Sequence, residues 1–479
     1  MENIERLRNK IEGIIITILS PEYSEARLNW DPYTSQFPSY IVNVLSEKDI
    51  KECIYWCKRY SIPFRIRGKV SHSLGYDFSS ADGALVCNIQ NFNKIVPAEK
   101  NTIIVGAGNV VGPIIYQLAK DGYMFPYGDV FTVGIGGILQ GGGIGMQNKQ
   151  MGLVCDQLLS CKLITASEHL ITLDEKTNSD LFWAVRGGGG GNFGVITEMT
   201  LQYQEAPKLI TYIVMSWRGI DLQTVRQIIV EWMETNLYEN INICRKLEIT
   251  KVSADSDLSN IDIYTLIYNN DESLFKFRPI GKYVKTVSIL TYYEMVQREL
   301  GPSEAEIHAD LNYKFLGYFS DKILDEETLD IIIDYFGKTD ADLFFLELGG
   351  NFRKGESAFA WRNAKIYFEL SRIWPIYADQ DIIYNSRGLH ESTASDAEAK
   401  LHEPNLDSYR EAADKLGKKY KSGYVNVPND TYTDPHQYEK FYYGENRYRL
   451  RRIKAKYDRK NFFNFSQSIK PDRYKTIKI

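Results

Sequence analysis

The chain has 479 residues, 44% of them apolar and 25% charged, with a formal net charge of −5, which allows two or three domains and a core deep enough for a large bound group. That balance gives no pull towards nucleic acid or anionic lipid, no run is apolar enough to cross a bilayer, and the one short apolar run near the start, Ile14 to Leu19, is too little for a secretion signal. Six cysteines without a CxxC pair fit neither a disulfide framework nor a zinc site, so no metal is expected and the compartment reads as reducing and cytoplasmic.

In chain order, Glu47 to Tyr60 has the apolar spacing of an amphipathic helix, with Cys53 and Cys57 as packing residues four apart, and Pro63 to Arg67 reads as a strand running into a turn at Gly68. Thr102 to Val105 predicts a strand, Val111 to Asp121 a helix and Cys161 to Ala166 another strand, so residues 1–205 read as an α+β domain. Glycine gathers in two runs, Gly134 to Gly145 (GIGGILQGGGIG) and Gly187 to Gly194 (GGGGGNFG). Lacking a Cβ, such runs let backbone amides approach a phosphate or a flat ring. The apolar residues around them, Val133, Ile135, Ile138, Ile144, Val195 and Ile196, speak for packed loops rather than linkers. Over residues 206–430 glycine thins and aromatic strand patterns (Ile210 to Ser216, Ile263 to Tyr268, Ala364 to Ile373) alternate with charged helices, which predicts a second domain, a sheet backed by helices. In the last segment, residues 431–479, Glu439 to Lys456 is predicted as one basic helix with a solvated face.

Two widely separated signatures stand out. The first is Thr132-Val133-Gly134 through Gly145, then Gly152-Leu153-Val154-Cys155-Asp156, then Asp180 to Arg186 leading into Gly187 to Thr197. The second is Tyr442-Tyr443-Gly444-Glu445-Asn446, Arg449-Leu450, Lys454, Tyr457-Asp458, Asn461, Phe463 and Gln467-Ser468-Ile469. In this order they resemble the FAD-linked oxidases of the vanillyl-alcohol-oxidase superfamily, and within it the berberine-bridge-enzyme-like branch. The resemblance implies an α+β fold: a PCMH-type FAD-binding domain of two α/β subdomains, a substrate domain whose antiparallel sheet is backed by helices and roofs the pocket, and a C-terminal segment returning to FAD. It places FAD against Arg67, Gly68, Lys69, Val70, Ser71, His72 and Gly75, and against Val130, Thr132, Val133, Gly134, Gly136, Gly137, Gly141, Gly142, Gly143 and Gly145. Gly194, Val195 and Ile196, and then Tyr443, Asn446, Asn464 and Gln467, complete the implied cofactor site.

Two departures from the family pattern bear on how FAD is held. Where relatives end the first turn in a histidine bonded to the flavin's 8-methyl carbon, Ser71 stands here and His72 lies one residue on, where a tight turn points its side chain elsewhere. Where many carry a cysteine bonded to C6, this chain has Val130. The expectation is FAD held without a covalent bond, at a lower reduction potential than in doubly linked relatives.

Oxidation by a flavin needs a base on the substrate side to take the proton that accompanies the hydride leaving for N5. The strand after Arg362 resembles the family's roof strand, and alternation puts Tyr367, Glu369 and Ser371 on one of its faces. Glu369 falls where relatives carry a catalytic carboxylate or a glutamine. Between Phe368 and Leu370 it is either a desolvated base or an ordinary solvent-facing glutamate. Tyr442 is the second catalytic candidate, with packing against Tyr443 as the alternative. Ile138 and Ile144 replace polar residues of relatives, giving the pocket an apolar wall suited to an apolar or aromatic small molecule, and the resemblance implies oxygen as electron acceptor from Val133, at a position where valine is typical of the family's oxidases. The resemblance thus implies an oxidase, as a monomer or homodimer, that takes a hydride from an alcohol, hemiacetal or amine carbon and makes hydrogen peroxide. A redox-neutral cyclising or isomerising flavoprotein, or a binding protein retaining the fold, are the competing readings.

Overall fold

The Ser46 side chain accepts from the Asp49 amide at 3.2 Å to start the helix Glu47–Tyr60, and Ser61, at φ 55°, ends it. Ile50, Cys53, Ile54 and Cys57 recur on one side of this helix and are buried, as the spacing requires. Asp49 is buried too, its carboxylate accepting from the amides of Glu12, Gly13 and Leu45 at 2.9–3.0 Å, which ties two chain segments to the positive end of the helix. The computed structural model describes residues 2–29, 36–68, 78–235, 238–253, 256–301, 311–375 and 406–472. Lys69, Val70, Ser71, His72 and Gly75 lie outside the described residues.

The helix packs on a four-stranded sheet of β1 (Ile14–Thr17), β2 (Tyr40–Asn43), β3 (Phe64–Arg67) and β4 (Leu85–Asn88), ordered β1-β2-β4-β3 with β2 and β3 parallel to β4. A second, wholly antiparallel sheet runs β5 (Ile95–Pro97), β6 (Thr102–Gly106), β10 (Val195–Gln202), β8 (Leu158–Ile164), β9 (Leu170–Asp174). The short β7 (Tyr123–Met124) pairs with β11 (Gln204–Glu205). The strand expected over Cys161 to Ala166 begins earlier and ends at Ile164, because Thr165 turns the chain, its amide donating to the His169 carbonyl at 3.0 Å.

The substrate half is one antiparallel sheet of seven strands: β12 (Ile210–Ile220), β13 (Ile243–Lys251), β14 (Ser259–Ile267), β15 (Val284–Leu290), β16 (Leu311–Ser320), β17 (Leu343–Glu347) and β18 (Ile366–Pro375), ordered β15-β12-β14-β13-β17-β18-β16. The helices Leu222–Glu234 and Glu326–Lys338 back one face, with the Trp232 and Phe345 ring centroids 6.3 Å apart and Lys251 over the Phe336 ring. The other face turns towards the N-terminal half. A fully buried triad joins the halves: Glu347 accepts from Arg245 at 3.0 and 3.1 Å and from Lys149, beneath the first glycine run, at 3.1 Å.

Glu439 to Lys456 is not one helix. Pro435–Tyr443 and Asn446–Tyr457 are separate, broken at Gly444, whose φ of 49° and ψ of −129° suit glycine alone. Nor is the second helix wholly solvated. Lys454 is buried and donates to the carbonyls of Asn192 at 2.5 Å and Phe463 at 2.7 Å and to Asp458 at 2.8 Å, and burial lowers its pKa to about 8 against the pull of Asp458. Through Asn192, and through Arg65 donating to the Asn464 carbonyl at 2.7 Å, the C-terminal segment closes on the N-terminal domain. Among the described residues no helix is long and apolar enough to cross a membrane.

Candidate active site

Between the glycine runs and the seven-stranded sheet lies a cavity of about 710 Å³, within the range of sites for sizeable ligands. Its floor includes Gly134, Gly136 and Gly137 from the first run and Gly190, Gly191 and Gly194 from the second, with Val130, Val133 and Ile196 between them and Arg67 and Gly68 at one end. A Cβ added at Gly134 or Gly137 would meet nothing within 4 Å, so these positions open towards the cavity rather than into packing. The amides of Gly190 and Gly191 find no acceptor among the described residues. Gln467 reaches the same cavity, held by its amide donating to the carbonyls of Asn429 and Tyr432 at 2.7 and 2.8 Å.

Other residues expected at the cofactor sit behind this wall. Residues Ile135–Gln140 form a helix rather than a loop, and Gly141, Gly142, Gly143 and Gly145 beyond it are packing positions, where a Cβ would collide with Asn426, Phe359, Val154 and the Tyr127 carbonyl, respectively. Thr132 and Val195 do not line the cavity. Tyr443 is buried against Gly189, Asn446 donates to the Ala358 carbonyl at 3.1 Å, and the Asn464 side chain accepts from Ser468 at 3.1 Å and Lys470 at 2.8 Å. All three hold the C-terminal segment in place.

The roof is β18 and its neighbours. Tyr367, Glu369 and Ser371 share one face of β18 and all line the cavity, while Ile366, Phe368 and Leu370 point into the helix-backed core. Glu369 accepts a 2.5 Å hydrogen bond from the Tyr367 hydroxyl. Burial raises the Glu369 carboxyl to about 7, the Tyr367 hydrogen bond opposing and Asp129 adding to the rise. Of its two sequence readings, the geometry is that of the desolvated carboxyl. Arg362, which sets the count to Glu369, grips Asp156 of the first signature with 2.6 and 2.5 Å bonds and so fixes the strand's entry.

Tyr442 also lines the cavity, but its hydroxyl is committed. It donates to Gln467 at 2.9 Å and accepts from the Asn429 amide at 2.8 Å, and burial pushes its pKa far up, a poor disposition for a base. The tyrosine that sequence reasoning passed over is Tyr424. Its oxygen accepts from the amides of Gly143 and Ile144 at 3.2 and 3.3 Å and from Asn426 at 3.0 Å. With its lone pairs so engaged, what Tyr424 has left to offer the cavity is its O–H proton; burial raises its pKa to about 12 despite these bonds. Tyr424 and Asn426 sit in a turn closed by the Val427 amide donating to the Tyr424 carbonyl at 3.0 Å, and no periodic pattern in the sequence marks it. Ile138 and Ile144 form the expected apolar wall, but Asp129, Glu248 and Asp342 also line the cavity, and no local pattern announced them.

Residues 38–174 match the FAD binding domain family, and residues 423–470 match the berberine and berberine-like family. An uncharacterized FAD-linked oxidoreductase of Bacillus subtilis (strain 168), YvdP, is 32% identical over 97% of this chain and 99% of its own length. The chain belongs to the berberine-bridge-enzyme-like FAD-linked oxidoreductases. A second B. subtilis relative, the uncharacterized FAD-linked oxidoreductase YgaK, is 28% identical over 97% of this chain and 98% of its own. A solved chitooligosaccharide oxidase shares the fold, with a TM-score of 0.80 at 19% identity over 98% of this chain and all of that one. The residues of this FAD-linked oxidoreductase fit its cofactor. The glycine-rich floor would admit a flat ring system, Val130, Val133 and Ile196 would supply apolar contact, and the amides of Gly190 and Gly191, without an acceptor among the described residues, suit phosphate oxygens.

Proposed function

We propose that this enzyme is an oxidase acting on an alcohol, hemiacetal or amine carbon of a small, mainly apolar molecule, with oxygen as the final acceptor. The observation that carries the reading is Glu369, a cavity-lining carboxyl raised to about 7 and hydrogen-bonded to Tyr367, on the roof opposite the glycine floor. When bound between the glycine floor and the roof, FAD would supply the two-electron acceptor for the hydride, with oxygen as the final acceptor and hydrogen peroxide as the product. The protein supplies the rest. Glu369, ionised, takes the substrate's O–H or N–H proton as the C–H bond breaks, and Tyr367 holds the carboxylate in one orientation. Tyr424 donates a hydrogen bond from its hydroxyl to the substrate heteroatom and keeps its proton, and Ile138 and Ile144 exclude water beside it. Val133 leaves space for oxygen at the cavity wall.

The cofactor is held without a covalent bond, a reading that Val130, which has no thiol, supports at one anchor position. The same feature favours a second reading, in which FAD shapes the site for a redox-neutral cyclisation or isomerisation. Mixing the holoenzyme with a panel of aromatic primary alcohols and amines, first without oxygen and then with it, separates the two. Bleaching of the flavin followed by recolouring and stoichiometric hydrogen peroxide is the expected result. Isomerised product with the flavin oxidised throughout would establish the redox-neutral reading instead.

A further inference from the structure

Strand register sorts the roof into rows on one face. Glu369 of β18 lies opposite Phe344 of β17, which lies opposite Glu248 of β13. One row away, Asp342 and Ser371 are joined by two 2.9 Å bonds, the Asp342 amide donating to the Ser371 hydroxyl and the Ser371 amide to the Asp342 carbonyl. The Asp342 carboxylate itself makes no hydrogen bond or ion pair among the described residues, although it lines the cavity. Nearby cations are scarce. Lys246 is shared by Glu248 at 3.0 Å, Glu299 at 3.3 Å and Asp129 at 3.9 Å. Among the described residues, the patch around Glu248 and Asp342 therefore gathers the carboxylates of Asp129, Glu248, Glu299, Asp340 and Asp342 around the Lys246 ammonium. Burial, with repulsion from Asp340 and Glu248, raises Asp342 to about 6. Beside these charges the cavity is aromatic: Phe344 stands between Glu248 and Glu369, and the rings of Tyr313 and Phe315 on β16 stack at 5.7 Å with planes 3° apart.

We infer that the substrate carries a protonated amine, bound by Asp342 and Glu248, at the far end of an aromatic or apolar body from the carbon that is oxidised. An ammonium here would meet a carboxylate that has no partner among the described residues and relieve the excess negative charge, which water does poorly in a half-enclosed site. Asp342 is the diagonal neighbour of Glu369 across the β17–β18 pair, which separates the two positions by about 7–8 Å. That is roughly the span of a para-substituted ring, too far for the bound ammonium nitrogen to sit on the reacting carbon. The inference rests on the reading of Glu369 as the base and adds the substrate's charge to it.

Calorimetric titration of the holoenzyme with three matched probes tests it: 4-(aminomethyl)benzyl alcohol, 4-ethylbenzyl alcohol and 4-(hydroxymethyl)phenylacetate at neutral pH. The ammonium should bind about tenfold or more tightly than the neutral alcohol, with the carboxylate weakest, and added salt should narrow the gap. Asp342→Asn and Glu248→Gln should each weaken the ammonium about tenfold while leaving the neutral alcohol within about twofold. The wild-type series needs no variant to fold. Equal affinity for ammonium and neutral probes, or an equal loss for both in Asp342→Asn, overturns the inference. Flavin reduction followed in parallel keeps the two readings apart. Reduction by both probes with equal affinity for them leaves the oxidase and removes the cation site, whereas selective ammonium binding with no reduction by any probe leaves the cation site and removes the oxidase.

Discussion

Glu369 must be ionised to take a proton, and burial holds its carboxyl at about 7, so substrate-driven flavin reduction should rise with pH through that value. Glu369→Gln keeps the Tyr367 hydroxyl hydrogen-bonded but removes the base. It should slow reduction by about 10²–10⁴-fold and flatten the pH dependence in stopped-flow traces. The same shift acts on stability with a definite sign. A carboxyl raised above its unfolded value favours the fold fully below that unfolded value, and the contribution is lost as pH rises through about 7. Glu369→Gln should therefore melt at a less pH-dependent temperature between those limits. Tyr424→Phe preserves ring packing but strips the acceptor from the Gly143 and Ile144 amides. A loss of about 1–3 kcal/mol in denaturant unfolding, together with slower flavin reduction, is the expected outcome. Glu369 and Tyr367 were legible in the sequence because strand alternation is local. Tyr424 was not, because what marks it is a set of bonds to a glycine run some 280 positions away in the chain.

At the scale of elements, the junction of sheet and glycine run rests on Glu347. Burial alone would raise its carboxyl, but Arg245 and Lys149 hold it below the usual range. The contribution is then present above the unfolded value and lost as pH falls through the depressed one. Glu347→Gln leaves two buried cations without their carboxylate and should cost about 3–5 kcal/mol, read by urea unfolding, with a melting temperature less sensitive to acid than that of the parent. The break at Gly444 makes a second test. Any side chain there meets a φ of 49° and a Trp361 ring atom at 3.1 Å, so Gly444→Ala should destabilise by about 1–3 kcal/mol. The sequence pattern ran through this break as one helix, since hydropathy carries no signal for a single residue's dihedral angle.

At the scale of the molecule, the floor comes from the N-terminal domain, the roof from the seven-stranded sheet, and the C-terminal segment reaches both, with Tyr442 and Gln467 at the cavity and Lys454 bonded to Asn192 of the second glycine run. A cofactor in that cleft bridges all three. At free FAD about a hundredfold above its dissociation constant, linkage should add about 2.7 kcal/mol to stability, so the melting temperature should fall when flavin is removed and recover when it is restored. Acid precipitation should leave the yellow colour in the supernatant; a yellow pellet would mean a covalent bond.

The sequence by itself determined the family, the cofactor and the placing of the main elements, because glycine runs, capped amphipathic helices and strand alternation are written in neighbouring residues. Tertiary structure alone decided which glycines meet the cavity and which are packed behind it, since Gly137 and Gly141 look alike in sequence and differ only in what stands opposite them. It also decided the charge of the pocket. Ile138 and Ile144 pointed to an apolar site, but Asp129, Glu248 and Asp342 come from three distant stretches of chain, and only the pairing of β13 with β17 and β17 with β18 brings Glu248 and Asp342 onto one roof with Glu369.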